Sequence, residues 1–143
     1  MGVMRTVELF PSATRITAVA NSAGSSKLIA FKKAIFLLNV TATAGAAGDV
    51  LDAYVDVLAP DGATWLNAVH FTQVAGNSAA IKHYAVLDST AVAATSFNVT
   101  SDCSSGVTKP YLCGPRVRGR YTLVNAGGGA QSVTFSIYGT LVG

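Results

Sequence analysis

Two histidines, a group of aspartates and a run of alternating arginines are the residues of this 143-residue chain whose types and spacing could support chemistry. Neither His70 nor His83 has a nucleophile in a context such as Gly-x-Ser-x-Gly, so a Ser-His-Asp triad is not indicated. Asp52 and Asp56 lie on one face of a predicted strand, roughly 13 Å apart by strand rise. That separation exceeds the ~5–9.5 Å between the carboxyl groups of glycosidases. We therefore predict no catalytic residues and no enzyme activity.

Metal and cofactor chemistry is not indicated either. Asp49, Asp52 and Asp56 lack the spacing of an EF-hand calcium loop. The run AGGGA at 126–130 lacks the Gly-Lys-Ser/Thr of a phosphate-binding loop. Two cysteines without a neighbouring histidine fall short of the about four ligands of a zinc site. We expect no metal and no cofactor.

The two cysteines, Cys103 and Cys113, bracket a loop-like segment, SDCSSGVTKPYLCGP. In an oxidising compartment they could form a disulfide that stabilises the fold by roughly 2–3 kcal/mol through the entropy of the unfolded chain. In a reducing cytosol the same residues remain thiols. The sequence leaves both alternatives open.

The arginines are spaced two residues apart, which places their side chains on one face of a strand as a basic ladder roughly 14 Å long. One interpretation is a solvated face. The other is an interface in which Arg116, Arg118 and Arg120 meet Asp52 and Asp56 of a neighbouring copy, because guanidinium groups bind carboxylates bidentately. A net charge of only +3, without a Lys/Arg run, disfavours nucleic-acid binding.

Alternating polar and apolar residues predict the strands that position these side chains. Residues 50–58 and 64–74 flank the turn sequence Pro60-Asp61-Gly62 and predict a β-hairpin. In the second of these strands the alternation predicts that Trp65 faces the core and that His70 faces the opposite side.

A second hairpin is predicted at the C-terminus, where 116–125 and 131–142 flank the Gly-rich run. Residues 34–41 are apolar on both faces, which is typical of a strand buried in a sandwich core or beneath a partner. Shorter candidate strands are 7–10, 14–20, 27–31, 81–87 and 95–100. Eight or nine strands without a helix predict one all-β domain over 1–143, an antiparallel β-sandwich or jelly roll.

The composition indicates assembly. Half of the residues are hydrophobic, 12% are charged, and the mean hydropathy is +0.44. Ten basic and seven acidic side chains cannot cover the roughly 7,000 Å² of surface expected of a monomer of this mass. No apolar stretch reaches the about 18 residues that a membrane span needs. We expect a homo-oligomer and no membrane partner.

Several segments resemble small virion proteins of tailed bacteriophages. The resemblance lies in VELFPSATRITAV near the start, AIFLLNVTAT, VDVLAPDGATWLNAV, and the closing pair PRVRGRYTLVN and QSVTFSIYG. It covers most of the chain in order. It implies a structural β-sandwich of the virion, most often a trimer that decorates the capsid and cements neighbouring major-capsid subunits after synthesis in the host bacterial cytoplasm.

Two further expectations accompany this resemblance. Residues 1–12 are expected to form an extended arm, with Leu9 and Phe10 lying along a neighbour's sheet edge. The alternative function is a receptor- or glycan-binding module of a tail or fibre, in which Trp65, Tyr84 and Tyr111 form an aromatic platform and loop 99–115 reads the ligand.

Overall fold

The structure, a computed structural model, describes residues 4–16, 19–21, 31–91, 96–112, 114–126 and 129–143. Every regular element in these ranges is a β-strand, which confirms the all-β prediction. The strands are β1 (Met4–Arg15), β2 (Val19–Asn21), β3 (Lys33–Ala44), β4 (Val50–Leu58), β5 (Trp65–His70), β6 (Val74–Ala75), β7 (Ile81–Asp88), β8 (Val117–Val124) and β9 (Ser132–Val142).

The strands form two antiparallel sheets. Sheet A has the order β1-β9-β3-β7, and sheet B has the order β2-β8-β4-β5, with the short β6 also paired to β4. The pairs β4/β5, β3/β7, β2/β8 and β1/β9 are nested inside one another along the chain. The chain therefore runs as one long hairpin rolled into a sandwich, which is the jelly-roll arrangement.

The predicted hairpin at 50–74 is confirmed, because β4 and β5 pair antiparallel around the turn. Asp61 fixes this turn by accepting hydrogen bonds from the backbone N–H groups of Ala63 (2.9 Å) and Thr64 (2.8 Å). Gly62 has a φ of 71°, in the left-handed region that favours glycine.

The predicted C-terminal hairpin is wrong. Strand β8 pairs with β2 and β4 in sheet B, whereas β9 pairs with β1 and β3 in sheet A. The connection at 125–131 therefore crosses from one sheet to the other. Alternation shows which side chains face the core, but a strand presents the same pattern whichever sheet it joins.

The expected N-terminal arm is instead an edge strand of sheet A. Over Met4–Arg15, β1 pairs with β9 of the same chain, with register shifts on either side of Phe10. Leu9 and Phe10 are buried in the core, and the Phe10 ring packs edge-on against Tyr121 at a centroid distance of 5.3 Å. Their placement at an interface is corrected for this reason: the chain's own second sheet already covers them.

The core fills the space between the two sheets. Its largest fully buried side chains include Phe36 and Leu38 from β3, Phe135 and Ile137 from β9, and Leu51 from β4. Strand β3 is not buried on both faces, because Ile35 is 53% exposed on the outer side of sheet A. The strand is thus in the sandwich core on one face only, so burial of both faces within the sandwich is wrong, while a partner over the outer face stays a prediction.

Some segments predicted as strands form no strand, and others fall on residues that the structure does not describe. Residues 96–100 form no strand; the Asn98 side chain accepts hydrogen bonds from the N–H and hydroxyl of Thr100 and stabilises a turn there. Residues 27–30 of the predicted strand 27–31, residues 127–128 of the Gly-rich run, and Cys113 lie outside the described residues.

Candidate functional site

A bulge in β5 decides which side chains face outward from sheet B. Val55 pairs with Val69 but Asp56 pairs with Asn67, so Ala68 is an extra residue in β5. The bulge reverses the alternation, and Trp65 lies on the outer side with His70 rather than in the core. The sequence-based orientation of Trp65 is therefore wrong.

Asp56 is the centre of a polar cluster on this outer face, although it is only 1% exposed. Its Oδ2 accepts hydrogen bonds from Nε of Arg118 at 2.9 Å and from Nε of Arg120 at 3.0 Å. Its Oδ1 accepts one from the amide of Asn67 at 3.0 Å. Each oxygen of this buried carboxylate is thus satisfied, as burial of a charge requires.

His70 occupies the neighbouring position and uses both ring nitrogens. Nε2 lies 2.8 Å from Oδ1 of Asp52, and Nδ1 lies 2.8 Å from the carbonyl oxygen of Cys103. The same Asp52 oxygen accepts a hydrogen bond from the amide of Gln73 at 2.8 Å. The side chains of His70 and Asp52 are both buried.

These side chains hold down a segment that we call the covering loop, residues 101–112. The backbone N–H of Cys103 donates to Oδ1 of Asn67 at 2.8 Å, and Asp102 accepts a hydrogen bond from Arg120 at 2.7 Å. The loop also pairs with β5 through a bridge between Val69 and Thr108. It therefore covers the β5 edge of sheet B, whereas the alternative function suggested from the sequence has loop 99–115 reading a ligand.

Aromatic rings and charges complete the packing. Tyr54 stacks on His70 at 4.3 Å between ring centroids, and the Arg120 guanidinium lies 4.0 Å from the centre of the Tyr54 ring. Burial is the main cause that raises the pKa of Tyr54, and the negative charges of the nearby Asp52 and Asp102 raise it further. Burial opposes the charge of Arg120, but its bonds to Asp102 and Asp56 outweigh burial and raise the pKa of that guanidinium.

This arrangement is suited to holding a loop rather than to catalysis. Both nitrogens of His70 are occupied, so the ring has no free position from which to take a substrate proton. Among the described residues, no group of three or more His, Cys, Asp and Glu could hold a metal ion. In the same ranges, no helix is long and apolar enough to cross a membrane.

The candidate residues from the sequence are only partly brought together. Arg118 and Arg120 meet Asp56, but within one chain, so the carboxylate of a neighbouring copy is not needed to satisfy them. Arg116 precedes β8 and is exposed. Asp49 is separate, since its carboxylate accepts from the N–H of Ala46.

The remaining candidates are also dispersed. The side chain of Cys103 is buried, and burial raises the pKa of its thiol; the choice between free thiols and a disulfide to Cys113 stays open, because Cys113 lies outside the described residues. Tyr84 lies on β7 of sheet A and Trp65 on β5 of sheet B, so they do not form one platform with Tyr111. The cluster also contains Asn67, Gln73 and Asp102. The sequence alone does not indicate them, because no local sequence pattern distinguishes them from other polar residues.

Known proteins were compared with the chain at the level of sequence and of structure. No family model and no curated protein matches the sequence. The structure is similar to the VP2 subviral particle of infectious bursal disease virus, with a TM-score of 0.54 and 12% identity over 99% of this chain. It is also similar to structures of the Gt and Gx strains of that virus, with a TM-score of 0.53 for each and identities of 11% and 10%. These neighbours are viral capsid proteins.

The extent of the match defines what is shared. This chain spans 32% of the length of the first neighbour and 33% of the other two, while 98–99% of it is matched. At 10–12% identity the likeness shows a common fold and not a common activity. The chain thus has a β-sandwich fold that viral capsid proteins also have.

Proposed function

We propose that this chain is a structural protein of a virion. The observation that carries the proposal is the match of nearly the whole chain to a β-sandwich of viral capsid proteins. The polar cluster around Asp56 supports a structural role, because its hydrogen-bonding groups bind the covering loop to sheet B. The low charge of the chain, 12% of residues, agrees with surface that is covered in an assembly.

More specifically, we propose a capsid decoration, or cement, protein of a tailed bacteriophage. The sequence resemblance to small virion proteins of such phages supports this role. The protein would be made in the host bacterial cytoplasm, and would bind as a homo-oligomer, with a trimer as the proposed unit, between subunits of the major capsid protein. Binding to the assembled lattice but not to free subunits raises the temperature of disassembly by mass action.

The test compares native particles with particles that lack this protein. A cryo-EM map of the native particle is expected to show the jelly roll on the outer surface of the head, between major-capsid subunits. Particles without the protein are expected to release their genome at a lower temperature, and adding the purified protein back is expected to restore the original temperature. Density on the tail, or equal heat resistance of the two particles, would contradict the cement role.

A second candidate is the tail or fibre module that binds a receptor or glycan. One cavity favours it: a pocket of about 190 Å³ lined by Phe97, Lys109 and Tyr111 at the end of the covering loop. The two rings stack with centroids 6.3 Å apart, and the Lys109 ammonium lies 4.6 Å from the centre of the Phe97 ring. Binding of host-cell glycans that is lost in Phe97→Ala, while the protein stays folded, would favour this candidate over cement.

A further inference from the structure

The outer side of sheet A carries exposed apolar side chains on β1, β3 and β7 and half-buried ones on β9, interspersed with Thr6 and Thr140, in contrast to the outer side of sheet B. Ile35 on β3 lies opposite Val86 on β7, and the two are 53% and 45% exposed. Tyr84 is 74% exposed and Met4 is 67% exposed. We call this surface the apolar face; it consists of Met4, Ile35, Leu37, Tyr84, Val86, Tyr138 and Val142.

The apolar face is also concave in part. Met4, Ile35, Val86 and Val142, together with Lys33 and Thr140, line a shallow depression of about 230 Å³. Exposed single apolar residues are normal on a soluble protein, but a contiguous apolar patch of several strands marks a surface that meets a partner. On sheet B the corresponding side has polar groups and the covering loop, so only sheet A offers this kind of surface in the described part of the chain.

The charges at the two edges of the apolar face have opposite sign. Glu8 lies on β1 at one edge, beside Tyr138. Lys82 lies on β7 at the opposite edge, beside Asn39 of β3. Lys33 and Asp88 also lie at the β7 side, but they neutralise each other at 3.8 Å. The face is therefore acidic on the β1 edge and basic on the β7 edge.

We propose that a second copy of this chain covers the apolar face through a two-fold symmetric contact. A two-fold axis in the interface and parallel to the strands lays β1 of one copy over β7 of the other. Glu8 of each copy then lies one strand row from Lys82 of its partner, at both edges of the contact. The central side chains pack together, with Tyr138 of one copy above Leu37 of the other.

The size of the face suits such a pair. Counted with the adjoining polar row of Asn39 and Lys82, four strands about 4.8 Å apart and four rows about 7 Å apart give on the order of 500 Å² per copy. Two copies would bury on the order of 1,000 Å², the lower limit for a specific protein interface. The contact would therefore be reversible in dilute solution, and would join one oligomer to another where copies are concentrated.

This inference rests on the proposed function in one respect, namely that the chain associates with copies of itself. The test measures the mass of the full chain by light scattering and sedimentation over a wide range of concentration. At high concentration the wild-type protein is expected to contain an even number of copies, and Val86→Lys is expected to halve that number. Val124→Lys is the matched control, because Val124 is 44% exposed on β8 of sheet B, and it is expected to keep the wild-type mass.

Reversing the edge charges tests the orientation of the two copies. Glu8→Lys and Lys82→Glu are each expected to weaken the association at least fivefold, and the double variant to restore most of it. Tyr138→Phe removes the hydrogen bond to Glu8 without reversing a charge and controls for its loss. Failure of the double variant to recover would overturn the two-fold arrangement.

The outcomes separate this inference from the proposed function. A monomer at every concentration, a strict trimer, or equal masses for the Val86 and Val124 variants would overturn the apolar-face contact and leave a virion role standing. A pair that forms in solution, from a protein that is absent from purified particles, would support the contact and overturn the virion role.

Discussion

Arg120 donates hydrogen bonds to both carboxylate oxygens of Asp56, from Nε to Oδ2 at 3.0 Å and from Nη2 to Oδ1 at 3.3 Å. The guanidinium also reaches Asp102 in the covering loop at 2.7 Å, so one side chain ties β8 to β4 and to the loop. The sequence alone left open whether these arginines form a solvated face or meet carboxylates of another copy. Within the chain they instead stabilise the fold.

Loss of the Asp56 carboxylate should therefore lower the stability of the fold substantially. Asp56→Ala leaves the guanidinium groups of Arg118 and Arg120 partly buried without their shared partner, and we expect a loss of about 3–5 kcal/mol in the free energy of unfolding. Asp102→Ala is the control, because the side chain of Asp102 is 44% exposed, against 2% for Asp56, and its removal should lower the free energy of unfolding by about 0–1 kcal/mol. Urea unfolding followed by tryptophan fluorescence measures both. Equal losses for the two variants would contradict the central position of Asp56.

Reversal of charge should distinguish Arg118 from Arg116. Arg118→Glu places a second carboxylate beside the buried Asp56, and we expect it to lower the free energy of unfolding by about 2–4 kcal/mol. Arg116 is exposed, so Arg116→Glu should change stability by no more than about 0.5 kcal/mol. Arg116→Glu is consequently the variant with which to measure occupancy on particles, since a folded protein that fails to bind would implicate Arg116 in the proposed interface.

Removal of residues 1–12 should abolish cooperative folding. The deletion removes Val7, Leu9 and Phe10 from the core and exposes the edge of β9; burial of such side chains contributes about 1.5–3 kcal/mol each. Deletion of residues 1–3, which leaves all of β1, is the control. Circular dichroism during heating is expected to show a cooperative transition for the control only. A cooperative transition in the longer deletion would restore the separate arm that the sequence suggested.

Gly139 permits the close approach of β9 and the Phe36 ring. A Cβ atom at this position would lie 2.6 Å from Cδ1 of Phe36 and 3.2 Å from Cγ2 of Val7. We expect Gly139→Ala to lower the free energy of unfolding by about 1–3 kcal/mol through overpacking. Gly48→Ala meets only Ala126, at 3.7 Å, and should be nearly neutral. Chemical denaturation of both variants checks the difference.

Acid should weaken the β4–β5 turn. Hydrogen bonds from the Thr64 hydroxyl and from the backbone of Thr64 and Ala63 lower the pKa of Asp61 from an ordinary 3.8 to about 2. Because this pKa is lower in the folded state, the stabilisation is complete above about pH 4 and is lost as the pH falls towards 2. The melting temperature of Asp61→Asn is therefore expected to fall less steeply than that of the wild type in this range. Equal slopes of melting temperature against pH for the two proteins would contradict a stabilising role of the ionised Asp61.

In strands without a bulge, the sequence by itself determined which side chains face the core. In β4, Leu51 and Val55 face inward while Asp52 and Asp56 face outward, as alternation predicted. The turn after β4 was equally predictable, since Asp61 and Gly62 act on neighbouring backbone groups. These features depend on residues a few positions apart, so a single strand or turn contains all the information they need.

Only the tertiary structure decided the sheet to which each strand belongs and the partner of each outward charge. Arg118 and Asp56 are 62 residues apart in the chain, and nothing local to either selects the other. The bulge at Ala68 turned Trp65 outward because Val69 and Asn67 must each meet a specific position of β4. The pairing of β1 with β9 is also a tertiary effect. The backbone groups of both strands find hydrogen-bond partners, and their apolar side chains are buried, only when the two sheets pack together.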